Sequence, residues 1–87
     1  MATPYEVRWA RKAQRELAAL ERDARDRILA GTRELAMNPR PLGCKNLRGA
    51  WRGHYRVRFG DYRVLYTVDD AVRIVDVVHV GDRKDVY

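Results

Sequence analysis

Three arginines fall within the stretch "GHYRVRFGDYRVLY", at positions 56, 58 and 63. Arg56 and Arg58 are two residues apart, and Arg63 follows a Gly60-Asp61 turn, so a β-hairpin would project all three from one side. A guanidinium is a planar fork of N–H donors that stays charged and matches phosphate oxygens in pairs. One such residue reads as a solvated surface charge. Three on one open face point instead to phosphate binding, because like charges brought together are destabilising until an anion joins them.

The 87-residue chain has a net charge of +6, and its placement matters more than its size. From Gly43 to Tyr66 six basic residues (Lys45, Arg48, Arg52, Arg56, Arg58, Arg63) face one acidic residue, Asp61. From Asp69 onward the balance reverses to three basic against five acidic residues. The basic excess therefore gathers in the hairpin and the loop before it, as expected of a surface that meets a polyanion. Other chemistries find little support. His54 and His79 have no companions at metal-ligand spacing, so no metal is expected. His79 reads as a structural or site-edge residue. Cys44 is the single cysteine, which excludes an internal disulfide and gives nucleophilic catalysis little basis. No glycine-rich phosphate loop leads into a helix, no carboxylates are paired, and no cofactor is implied.

The elements that must position the arginines follow from periodicity. "PYEVRW" alternates Tyr5, Val7 and Trp9 against charged residues, a short strand with one buried face. Ala10, Ala13, Leu17 and Leu20 then recur at helical spacing. Asp23 is placed to cap a second helix whose apolar side is Ile28, Leu29 and Leu35. Pro39 ends that helix by about Met37. The two helices, joined near Arg22–Asp23, form a hairpin spanning residues 10–37. Residues 38–53 read as loop, with Trp51 covering the sheet edge. Three strands follow at 54–59, 62–68 and roughly 72–80, joined by turns too short for crossovers and therefore antiparallel. The sum is one α+β domain over residues 1–87: a small antiparallel β-sheet with an N-terminal helical hairpin packed on one face, in the order β-α-α-β-β-β. The alternation puts Tyr55, Val57, Phe59, Val64 and Tyr66 beneath the helices and His54, Arg56, Arg58 and Arg63 on the opposite face. After the last strand, "VVHVGDRKDVY" carries Arg83 and a terminal Tyr87 to the rim. Tyr87 reads equally as a frayed terminus or as an aromatic that stacks on an unpaired base. With no apolar run near the ~20 residues of a membrane span and no signal-peptide pattern, a cytoplasmic protein with no membrane partner is expected.

"KNLRGAWRGHYRVRFGDYRVLYTVDD" followed by "VDVVHVGDRKDVY" resembles the RelE/ParE superfamily of bacterial type II toxins, and the RelE branch in particular. The resemblance covers nearly the whole chain and implies the RelE-like microbial ribonuclease fold. It implies a metal-independent endoribonuclease that cuts messenger RNA in the ribosomal A site. The ribose 2′-OH attacks the adjacent phosphate and leaves a 2′,3′-cyclic phosphate and a 5′-OH. The catalytic positions fall on Arg56, Arg58, Arg63, Arg83 and Tyr87, with Lys45, Arg48, Arg52 and His54 binding RNA. Arginine at 56 and 58 replaces the lysines of the best-known branch, and Asp82 stands where many relatives have histidine. Arginine cannot serve as general base, so proton transfer would rest on Tyr87, Asp82 or His79. The implied partners are the ribosome with its messenger, an acidic antitoxin from an adjacent gene, and operator DNA through the toxin–antitoxin complex only. Two other readings share the fold: a ParE-type toxin that inhibits DNA gyrase by protein binding, and a non-catalytic member.

Overall fold

Alternation at the N-terminus does produce a strand, β1 (Glu6–Trp9), and the helical spacing that follows produces two helices, α1 (Arg11–Ala18) and α2 (Arg22–Leu35). The computed structural model describes residues 3–82. Beyond α2 lie β2 (Lys45–Asn46), a single 3-10 turn at Gly49–Trp51, then β3 (Tyr55–Phe59), β4 (Tyr62–Asp69) and β5 (Ile74–Asp82). The five strands form one sheet in the order β1-β5-β4-β3-β2. The β2–β3, β3–β4 and β4–β5 pairs are antiparallel, as short turns require, whereas β1 lies parallel to β5. The sheet is therefore mixed rather than purely antiparallel: the helices carry the chain from β1 to β2 at the far edge, and the meander β2–β5 returns to place β5 parallel to β1.

Both helices pack on one face of the sheet. Ala13 of α1 and Ile28 and Leu35 of α2 are buried against Val57, Val64, Tyr66, Val75, Val77 and Val80, with Tyr55, Phe59, Leu17 and Leu20 partly buried around them. Burying these apolar surfaces is what holds the two layers together. At Gly31 the helix comes so close to the sheet that a Cβ would stand 2.4 Å from the Phe59 ring. The second helix begins two residues earlier than an Asp23 cap requires. Glu21 occupies the N-cap position without a side-chain hydrogen bond, and Asp23 sits in the first turn. There Asp23 is no cap, but its charge still meets the positive end of the helix.

The hairpin turn has Gly60 at φ +64° and no positive φ at Asp61, the pattern of a type II′ turn that requires glycine first. It brings Phe59 opposite Tyr62 and Arg58 opposite Arg63. At the other end of the sheet a polar clamp closes the molecule. Arg40 donates to both oxygens of Asp70 at 3.1 and 2.8 Å, and the Tyr5 hydroxyl donates to the same carboxylate at 2.6 Å. These contacts hold the Asp70 carboxyl down to about 2, with Arg40 the larger cause and Tyr5 the next. Among the described residues no helix is long and apolar enough to cross a membrane.

Candidate nucleic-acid interface

Val57 is buried among the helix-side residues, so its neighbours Arg56 and Arg58 project from the other face, and strand pairing carries that face across the sheet. One rung reads Lys45–Arg56–Leu65–His79 from β2 to β5. The next, nearer the hairpin turn, reads Arg58–Arg63–Gly81. Lys45, Arg56, Arg58 and Arg63 thus converge at one end of the face. Arg58 and Arg63 are direct cross-strand partners, a like-charge pair that costs stability on its own and gains from a shared anion. Toward the opposite end the charges compensate: Asp76 lies between Thr67 and Arg8, and Glu6 pairs with Arg8. The cationic character is therefore confined to the hairpin end.

Leu65 belongs to this face by register yet is fully buried. Arg56 and His79 flank it on the two neighbouring strands, and long side chains of this kind can cover an apolar neighbour while keeping their polar ends wet.

The loop before β3 adds a concavity at the rim. Glycines at positive φ, Gly49 (+65°) and Gly53 (+89°), let the chain double back. The Leu47 N–H then reaches the His54 carbonyl at 2.9 Å and the His54 N–H reaches that of Trp51 at 3.0 Å. The result is a cavity of about 560 Å³ lined by Asn46, Leu47, Arg48, Gly49, Arg52 and Gly53. Arg48 and Arg52 therefore stand together at that loop, at the end of β3 away from the Gly60 turn. His54 precedes β3 rather than belonging to it. Its ring meets Trp51 edge-on at 5.2 Å, and its Nδ1 is buried with no hydrogen-bond partner among the described residues. Any contact of His54 with a ligand must then run through Nε2.

The structure thus brings together Lys45, Arg56, Arg58 and Arg63 on two neighbouring rungs, and it places Arg48 and Arg52 with each other at the loop cavity rather than among them. Arg83 and Tyr87 lie outside the described residues, and β5 runs through Asp82 to the position just before Arg83. Asp82 pairs with Tyr62 and so falls in register with the helix-side residues, out of phase with the arginines. One group was not signalled by the sequence at all. Glu16 of α1 accepts a hydrogen bond from the Val80 N–H at 3.0 Å through one carboxylate oxygen, and its other oxygen lies 2.8 Å from Nδ1 of His79. Only the Lys12–Glu16 spacing of four residues was readable, and that pair is 3.6 Å apart.

Comparison with known proteins gives the same direction. Residues 7–87 match the family of the ParE toxin of the type II toxin–antitoxin system parDE. The chain is 38% identical to toxin RelG of Mycobacterium tuberculosis over 97% of both chains. It is 36% identical to toxin RelE of the same organism over 97% of this chain and 87% of the relative. Its fold is similar to RelE in the crystal structure of the archaeal RelE–RelB complex from Pyrococcus horikoshii, with a TM-score of 0.81, 26% identity, and coverage of 95% of this chain and 99% of the other.

Proposed function

This chain belongs to the RelE/ParE superfamily of type II toxin–antitoxin toxins, and we propose that within it the protein is a ribosome-dependent endoribonuclease that cuts messenger RNA in the A site. The observation that carries this reading is the cationic end of the face away from the helices, where Lys45, Arg56, Arg58 and Arg63 share two neighbouring rungs. A site for a phosphodiester needs donors aimed at its non-bridging oxygens, and paired guanidinium groups provide them. Arg56, Arg58 and Arg63 hold the scissile phosphate and steady the charge that grows on it as the 2′ oxygen attacks. Lys45, Arg48, Arg52 and His54 bind the flanking backbone. Arg83 meets the leaving 5′ oxygen, and Tyr87 stacks on a base of the codon. The toxin is held inactive by an acidic antitoxin encoded beside it, whose charge suits the same face.

Induced expression followed by mapping of transcript 5′ ends tests this directly. New ends within translated codons, absent from an Arg63→Ala strain, are the expected result. A second reading draws on the matched family's name: ParE-type toxins share the fold and act by binding DNA gyrase. Inhibition of gyrase supercoiling by the purified chain, with transcripts left intact, would establish that reading in place of the ribonuclease.

A further inference from the structure

A site built on arginines lacks a group that can take the proton of a 2′-hydroxyl, since guanidinium does not deprotonate in proteins. Histidine is the side chain that exchanges a proton near neutral pH, and one lies on the basic face. His79 shares the rung of Lys45, Arg56 and Leu65. Two strand spacings separate it from Arg56, roughly 10 Å between Cα atoms. Its side chain is only 12% exposed, so its orientation is set by its surroundings.

Those surroundings are specific. β1 ends at Trp9 opposite Val77, which leaves the farther half of β5 without a strand on that edge. α1 lies there instead, and Glu16 divides its carboxylate between two tasks. One oxygen takes the Val80 N–H at 3.0 Å, and the other meets Nδ1 of His79 at 2.8 Å. Lys12 Nζ is 3.1 Å from the same Nδ1 and 3.6 Å from the carboxylate. A carboxylate oxygen and a bare ring nitrogen are both acceptors and would repel at 2.8 Å. The proton therefore sits on Nδ1 and is donated to Glu16, and Lys12 pairs with the carboxylate. With the carboxylate anchored on the backbone at one oxygen, the neutral ring is held in the Nδ1–H tautomer, whose lone pair is on Nε2.

We propose that Glu16 and His79 form the proton-accepting couple of this toxin, with His79 as general base and Glu16 as its positioning residue. The proposal rests on the ribonuclease reading above. In the step, Nε2 takes the proton of the ribose 2′-hydroxyl while the 2′ oxygen bonds to phosphorus. The bond from phosphorus to the 5′ oxygen breaks, that oxygen takes a proton from water, and His79 returns its own proton to solvent. The charged groups that meet the ring are Lys12 and Glu16 on α1. On the same face by register, Arg56 lies two strands away on its own rung, Arg63 one strand away on the next rung toward the hairpin turn, and Asp76 and Arg8 toward the opposite end.

The test is single-turnover cleavage of a defined messenger on programmed ribosomes, with antitoxin binding and thermal unfolding as controls of fold. His79→Gln should cleave about 10²–10⁴-fold more slowly than the parent. His79→Ala should be equally slow and regain part of its rate on addition of free imidazole. Glu16→Gln keeps an acceptor for the Val80 amide but removes the charge, so the acid limb of its pH–rate profile should move to lower pH. Cleavage at the parental rate by His79→Gln, or a folded His79→Ala that imidazole does not revive, overturns the proposal. If the histidine variants do not fold, the Glu16→Gln profile decides, and an acid limb left in place overturns it. A parent chain that leaves the messenger intact overturns the ribonuclease reading and this couple with it.

Discussion

Replacing Tyr66 by phenylalanine removes one oxygen from the middle of the molecule and leaves the ring in place. Tyr66 is fully buried, and its hydroxyl donates to the Pro39 carbonyl at 2.7 Å, in the loop that leads from α2 to β2. The ring stays stacked on Tyr55, with centroids 5.7 Å apart, so apolar burial is nearly unchanged and the deficit is the hydrogen bond itself. Pro39 is buried too, so its carbonyl is left without that donor, which costs about 1–3 kcal/mol. At about 4–8 °C per kcal/mol for a domain of this size, the melting midpoint should fall by at least about 4 °C. Burial, and then the Cys44 sulfur, raise the Tyr66 hydroxyl above its ordinary value of 10.0. A group raised on folding contributes its full stability below the unfolded value, so the deficit should be constant from about pH 6 to pH 9. Thermal unfolding followed by circular dichroism measures it. A midpoint within about 2 °C of the parent would refute the argument that this bond pins the loop.

Asp70 contributes differently. Its carboxyl is depressed from 3.8 to about 2, so its stabilisation is present above 3.8 and lost as pH falls toward 2. Parent and Asp70→Asn melting curves should therefore differ near neutral pH and converge in acid; a gap that persists in acid would show that the charge is not what Arg40 recognises. Gly31→Ala should destabilise, because overpacking against Phe59 costs about 1–3 kcal/mol against a helix-propensity gain of about 1. A higher denaturation midpoint in urea would contradict the close approach of α2 to β3. Arg63→Ala and Arg83→Ala should each lower cleavage by about 10²–10³ while antitoxin capture is retained, and full toxicity in both would remove the arginines from the chemistry.

The face of each hairpin residue was legible because burial enforces a period of two. Once Val57 and Val64 must lie beneath the helices, Arg56, Arg58 and Arg63 have one place left to go. What escaped is of another kind. β2 is two residues long, Lys45 and Asn46, too short to express any period. The alternation of Tyr5, Val7 and Trp9 identifies a strand and its buried side but carries no information about its partner, so the parallel pairing with β5 appears only in three dimensions. The start of α2 is not legible because an aspartate resembles a cap wherever it falls near a helix start, and here the connection after α1 is two residues too short for Asp23 to serve. Glu16 and His79 lie on elements far apart in the chain, and no local pattern joins them.

The pairing of β1 with β5 also sets the order in which the chain can be completed during synthesis. Each rung of that pair joins residues 68 positions apart, as Glu6 and Ile74 are. Loop closure over such distances is slow compared with the local closure of the β3–β4 and β4–β5 hairpins. Of these five strands, the first to be made is thus the last to find its place, since its partner β5 is made last among them. The basic rungs of β2, β3 and β4 can therefore assemble before β1 is placed, and β1 has no strand of this sheet to pair with until β5 is present.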